Sequence, residues 1–247
     1  KVRARLQAYA PAPSMYYQLM LSCEVTGDPR ATGSLGTAVA TYNLWIEDLQ
    51  WKAFIFPQET KGSLVLVRVK PAQPLLNFTV CLCSFTDLSH PYSLFSYATK
   101  EQSKEILLHK HRPGEYHFYV GGEFLTFHVP LSFVESEHVC VSWESTTGIV
   151  GFWFNGKPWP RKGLQKGYTV GAKGVIVLGQ EQEQEQEQGS FGTQWAFAGE
   201  ISSVYMWDVG IITRQVHEAM QDRFDDVPLF GWTNFPYKLV GEVYLKP

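Results

Sequence analysis

The chain has 247 residues, a formal net charge of −3, 18% charged residues and 15% aromatic residues, among them 8 Trp. That length supports a full hydrophobic core, and β-rich chains of this size often form a single sandwich. The charge balance gives no sign of a basic nucleic-acid-binding surface, and no apolar run approaches the ~20 residues of a membrane-spanning helix.

Residues 1–49 are set apart from residues 50–247. Pro11, Pro13, Gly27, Pro29, Gly33 and Gly36 punctuate them, and only Tyr16–Cys23 has a strand pattern. No structure is assigned to the rest of this segment, which reads as a short accessory β segment or a linker. The chain begins at Lys1 rather than Met, so a removed leader would leave no trace and argues neither way.

From Lys52 the pattern sharpens. Lys52-Ala53-Phe54-Ile55-Phe56-Pro57 predicts a strand ended by proline. Ser63–Val69 is apolar at both parities, as expected of a strand buried on both faces. Phe78–Phe85 and Tyr92–Thr99 alternate as strands. Glu105–His109 and Glu115–Val120 flank the turn dipeptide Pro113-Gly114, which predicts a hairpin. Gly121-Gly122 turns the chain towards Phe124–Val129. Glu137–Ser145 is a further strand, with Val139 and Val141 facing one way and His138, Cys140 and Ser142 the other. Gly148–Phe154 runs into Asn155-Gly156, a strong hairpin signal because a type I′ turn needs positive φ at both positions. Gly174–Leu178 and Glu200–Trp207 add strands. Thr213–Arg223 predicts one helix, capped by Thr213, with Val216 and Met220 on one face. Tyr237–Leu245 reads as a closing strand. Many short strands with a single short helix predict an all-β, two-sheet jelly-roll sandwich with the helix on one face.

The four cysteines fit no paired Cys-x-x-Cys zinc spacing. A mid-strand Cys140 needs a partner strand, and Cys81 lies on one. A Cys81–Cys140 bridge closes a loop of about 60 residues, worth roughly 4 kcal/mol in the loop-entropy account. Cys83 shares a strand face with Cys81 and competes for Cys140, or stays a core-lining thiol, or pairs with Cys23; connectivity is not legible from spacing. Asn77-Phe78-Thr79 is a sequon, read as N-glycosylation in a secreted protein or as a chance triplet. His109 and His111 point to one strand face, but no third ligand stands at convincing sequence spacing for a metal. The chain has no Glu-x-Asp-x-x-Glu, Gly-x-Ser-x-Gly or His-Glu-x-x-His motif, so it reads as a binding protein rather than an enzyme.

His138-x-Cys140-x-Ser142-Trp143-x-Ser145 resembles the signature of the pentraxin family. The resemblance runs from Trp51 to Pro247. It is carried also by Lys52–Pro57, Asn77–Leu82, Tyr92–Lys100, Gly167-Tyr168-Thr169-Val170-Gly171, Leu178–Gln182 and Tyr205-Met206-Trp207-Asp208. It implies a flattened, lectin-like jelly roll, secretion to the extracellular space and assembly as a homo-oligomer, usually a pentamer. It also implies calcium-dependent binding of phosphate- or carbohydrate-bearing ligands, a part in innate immunity, and a sequon used at Asn77.

The family's calcium ligands map unevenly onto this chain. An Asp-Asn pair in the family corresponds to Ser103 and Lys104 here, a neutral hydroxyl and a cation where a hard ion wants oxygens. A second loop reads Gln180–Gly192, with Glu-Gln repeated four times. Aligned on Ser190-Phe191-Gly192, Glu187 and Gln188 take the family's Glu-Gln positions and Gln194 its final glutamine. Gly189 stands where an Asp belongs. Glu181, Glu183, Glu185 and Glu187 offer carboxylates afresh, or the repeat is a mobile acidic loop. His109 and Tyr119 fall at the family's ligand pocket, and a glutamate used there for cationic head groups aligns near Glu123-Phe124. Two functional readings therefore stand: a calcium-dependent recognition protein with a degraded site, or a calcium-independent interaction protein on the same fold.

Overall fold

The structure, a computed structural model of the chain, describes residues 2–9, 16–23, 39–45, 49–131, 135–182, 195–221, 228–233 and 235–247. The chain divides into two units, Lys1–Asp48 and Leu49–Pro247. In the first unit, β1 (Val2–Tyr9), β2 (Tyr16–Cys23) and β3 (Val39–Trp45) form a three-stranded antiparallel sheet in that order. The expected strand is β2; its two neighbours were not anticipated. Val2, Ala4, Leu6 and Ala8 do alternate with Arg3, Arg5 and Gln7 along β1, but alanine's weak strand preference blurs the signal.

The second unit is a sandwich of two antiparallel sheets. Its first strands are β4 (Ala53–Phe56), β5 (Leu64–Val67), β6 (Asn77–Phe85), β7 (Tyr92–Ala98), β8 (Ile106–Arg112), β9 (Glu115–Val120) and β10 (Glu123–His128). Then come β11 (Glu137–Glu144), β12 (Ile149–Phe154), β13 (Lys157–Pro158), β14 (Lys162–Gly163), β15 (Val175–Leu178) and β16 (Gly199–Trp207). After the helix α1 (Thr213–Met220) the chain ends with β17 (Tyr237–Val240) and β18 (Tyr244–Lys246). One sheet runs β10-β9-β8-β7-β15-β5-β17, and the other β13-β12-β11-β6-β16-β4-β18, with β14 added on β12.

The strand alternation read from sequence sets the core. Phe78 on β6 lies 6.1 Å from Phe118 on β9 and 5.6 Å from Trp143 on β11, so one ring links the two sheets. Phe127 stacks on Phe152 at 4.3 Å. Phe54, Phe78, Phe118 and Trp143 are buried, each worth about 2 kcal/mol relative to exposure. The Cys81–Cys140 disulfide forms between residues that are direct register partners on β6 and β11. Asn77 opens β6 opposite Glu144, with Phe78 and Thr79 fully buried behind it. The Asn155-Gly156 turn carries positive φ at both positions, 47° and 76°, and Asn155 Oδ1 accepts the His138 N–H at 2.8 Å.

Two elements differ from expectation. Tyr237–Leu245 is not one strand. Gly241 sits at φ 69°, where a Cβ would meet Gly62 O at 2.7 Å, and the turn sends β17 and β18 into different sheets. In α1 the capping position is Ile212, not Thr213; the Ile212 N–H donates to Gln215 Oε1 at 2.9 Å. Thr213 instead accepts the Trp153 indole N–H at 3.0 Å, which ties the helix to β12. The helix buries Val216 and Ala219, three apart, and leaves Met220 exposed.

Opposite sheets are also joined by charge. Lys110 on β8 and the Tyr116 hydroxyl on β9 both donate to Glu137 Oε2 on β11. All three residues are buried. Burial and the neighbouring carboxylate push the Tyr116 hydroxyl well above its ordinary range, so it stays a donor.

Candidate functional site

The site lies on the outward face of the β7–β10 half of its sheet. Residues alternate along β8, so Lys110 points inward to Glu137 while His109 points outward. His109 pairs in register with Ser93 on β7 and with His117 on β9, and Tyr119 follows two residues along β9. The predicted pocket residues His109 and Tyr119 thus share one face. Neither is bare. The His109 ring meets Trp195 edge-on at 4.8 Å and is 4% exposed. Phe124 on β10 stacks on Tyr119 at 4.9 Å and on His117 at 4.8 Å. Of the pair Glu123-Phe124, the aromatic ring joins this face, and Glu123 is exposed at the strand start.

The loop carrying Ser103 and Lys104 is held by backbone contacts. The Gln102 N–H donates to Thr99 Oγ1 and the Lys104 N–H to Gln102 Oε1, each at 3.1 Å. The Gly122 N–H donates to Lys104 O at 2.9 Å. Beneath it, buried Glu105 accepts from Tyr168 OH at 2.8 Å, Gly171 N–H at 3.1 Å and Thr99 Oγ1 at 3.1 Å. This network gives the Gly167–Gly171 motif a physical role: it satisfies the Glu105 carboxylate that anchors the loop. Burial and the bond to Glu105 push the Tyr168 hydroxyl up to about 12.

With its backbone so fixed, Lys104 reaches Glu181 at 2.8 Å and lies 5.0 Å above the Tyr119 ring. Glu181 is buried and Lys104 half-buried. The second loop is anchored at its start. Gln180 Nε2 donates to Thr60 O at 2.9 Å, and Gln182 Nε2 to Val175 O at 3.0 Å and Ser96 Oγ at 3.2 Å. Glu183, Glu185, Glu187, Gln188 and Gln194 lie outside the described residues.

The described residues do not fit a calcium ion. Lys104 brings a cation, which repels a metal ion, and it occupies the carboxylate of Glu181, the first of the four glutamates. Ser103 offers one neutral hydroxyl. Sequence reasoning singled out Ser103 and Lys104 by resemblance alone. It missed the Lys104–Glu181 pair, because 77 residues separate the partners and only the sheet brings their loops together.

Three further histidine contacts were not expected. His111 stacks on His117 at 4.6 Å, His109 lies 6.1 Å from His117, and His117 Nε2 is 2.9 Å from Glu115 Oε1. His138, in the signature strand, stands 3.8 Å from the bridged Cys140 Sγ. Burial and nearby His217 push His138 down to about 4.

Comparison with known proteins agrees with this geometry. The Pentaxin family model matches residues 52–247. Mucosal pentraxin of Rattus norvegicus is 44% identical over 215 residues, covering 87% of this chain and 95% of that protein. Serum amyloid P-component of Homo sapiens is 41% identical over 200 residues, covering 81% of this chain and 89% of that protein. Among solved structures, a native heptameric SAP-like pentraxin from Limulus polyphemus superposes with a TM-score of 0.70 at 21% identity, over 81% of this chain and 96% of that one. The match covers the whole sandwich, the signature strand and the disulfide, and the chain belongs to the pentraxin family.

Proposed function

We propose that the protein is a secreted, non-enzymatic recognition protein that binds phosphate- or carbohydrate-bearing ligands on the β7–β10 face, and that this binding does not depend on calcium. The observation that carries the reading is the Lys104–Glu181 ion pair at 2.8 Å over Tyr119. A fixed ammonium, paired with Glu181, stands where the family resemblance implies calcium ligands, and it lies beside an aromatic wall. The ammonium has three N–H donors, so donors beyond the one facing Glu181 can meet phosphate or sugar oxygens, and sugars pack on rings like Tyr119 and Phe124. Family membership supports secretion, a part in innate recognition and, through the Asn77 sequon, N-glycosylation. A mass loss on enzymatic deglycosylation checks the glycan.

Retention on an immobilised phosphoethanolamine matrix tests the main reading. Retention is expected to be equal in millimolar calcium and in chelator. Elution by chelator would overturn the proposal and return the protein to the calcium-dependent reading. Thermal unfolding gives a second readout: an ion at 100 times its dissociation constant stabilises by about 2.7 kcal/mol, roughly 5–10 °C in a domain of this size. No such shift is expected with calcium.

A further inference from the structure

We propose that the open end of the sandwich, where β6 and β11 face β7 and β8, binds a small amino alcohol, with a hydroxyl of the ligand on Tyr92, Lys110 and Glu137 and its ammonium towards Asp87 and Glu135. This goes beyond the ligand reading and does not rest on it, because the floor of the site lies between the sheets and not on the outward β7–β10 face.

The floor is built from two register pairs, one in each sheet. Tyr92 on β7 pairs with Lys110 on β8, and Ser84 on β6 pairs with Glu137 on β11. The four side chains line one cavity of about 120 Å³. All four residues are buried. Lys110 spans the floor by donating to Glu137 Oε2. The Tyr92 ring is packed against Phe197 at 5.4 Å. Tyr92 is 1% exposed, and its hydroxyl has no hydrogen-bond partner among the described residues. A buried polar group is ordinarily paired, because water no longer solvates it. Here the unpaired hydroxyl belongs to a residue lining a cavity, so a ligand can pair with it.

The rim is held in place. Thr86 Oγ1 donates to Ala198 O at 2.6 Å and accepts the Leu88 N–H at 3.2 Å, which fixes the loop after β6. Asp87 in that loop and Glu135 ahead of β11 line the same cavity and are exposed.

The lining selects the chemistry of the ligand. An anion would find the Lys110 charge already offset by Glu137 and would be repelled by the two carboxylates at the rim. A metal ion would meet the Lys110 ammonium at the floor. A hydroxyl suits the floor because it accepts and donates at once. It accepts from Tyr92 or from the Lys110 N–H groups that do not face Glu137. It donates to Glu137, whose carboxylate has about four acceptor sites and spends two on Lys110 and Tyr116. An ammonium on the same molecule is attracted to Asp87 and Glu135. The volume equals that of about four waters, enough for a ligand of about six non-hydrogen atoms. Serinol, the diol amine of glycerol's carbon skeleton, has that size and both groups.

The test is saturation-transfer NMR titration of the full chain with serinol. Binding in the millimolar range is expected, ordinary for so small a ligand. Glycerol, which lacks the ammonium, and isopropylamine, which lacks the hydroxyls, should each bind at least threefold more weakly. Tyr92→Phe keeps the buried ring and removes only the hydroxyl, and it should weaken serinol binding at least threefold. Asp87 is exposed, so Asp87→Asn leaves the core untouched; it should weaken binding at least twofold at low salt and leave glycerol unaffected. Absence of saturation transfer to serinol, or an affinity unchanged in both variants, would overturn the proposal. So would an affinity lost in Tyr119→Ala but kept in Tyr92→Phe, since that would place the amine on the β7–β10 face.

Discussion

Single titratable residues on this sandwich stand where burial makes charge costly. His138 is 3% exposed, and burial together with His217 holds it near 4, below the ordinary imidazole value of about 6.5. The folded state keeps it neutral, whereas the unfolded chain takes up a proton as the pH falls through about 6.5. Stability is therefore intact above that value, is lost as pH drops from about 6.5 to about 4, and levels off below. For His138 alone the linkage amounts to about 3 kcal/mol. His109, pushed down to about 3, adds to the same slope. Denaturant unfolding of wild type and His138→Met between pH 7 and pH 4 checks this. The variant should show a shallower loss, and an unchanged slope would show that His138 is already charged in the native state.

Elements are joined by groups that no single strand reveals. Strands β8, β9 and β11 meet at Lys110, Tyr116 and Glu137, three buried polar side chains reaching across the sandwich. Removing one partner strands a buried charge, while removing all of them leaves apolar packing. Lys110→Met should cost about 3–5 kcal/mol in urea unfolding. The triple change Lys110→Met, Glu137→Leu and Tyr116→Phe should cost less than the single one. A triple variant that loses more would mean that the polar group contributes net stability. The alternation of β8 was legible in its sequence. The partner of Lys110 was not, since Glu137 is contributed by the opposite sheet.

For the whole molecule, assembly is a prediction: a cyclic homo-oligomer uses a heterologous interface that closes on itself. A pentamer is the expectation from resemblance, so sedimentation should give five times the 28.1 kDa chain mass, apart from any glycan. A monomer across micromolar concentrations would overturn the oligomeric reading.

The sequence by itself determined the fold. Period-two alternation, the turn pairs Pro113-Gly114 and Asn155-Gly156, and the His138–Ser145 signature placed most sandwich strands, because these are local properties of the backbone and its pleat; the expected Cys81–Cys140 bridge needed in addition the pairing of β6 with β11. It also showed a neutral hydroxyl at Ser103 and a cation at Lys104. Tertiary structure alone decided what those side chains meet. Register set His109 against His117, loop packing set Lys104 on Glu181, and Gly241 divided the last strand between two sheets. His109 and His117 meet across one hairpin whose exact register only the structure gives, whereas Lys104 and Glu181, and Gly241 and Gly62, are distant in sequence and meet through the close packing of the sheets.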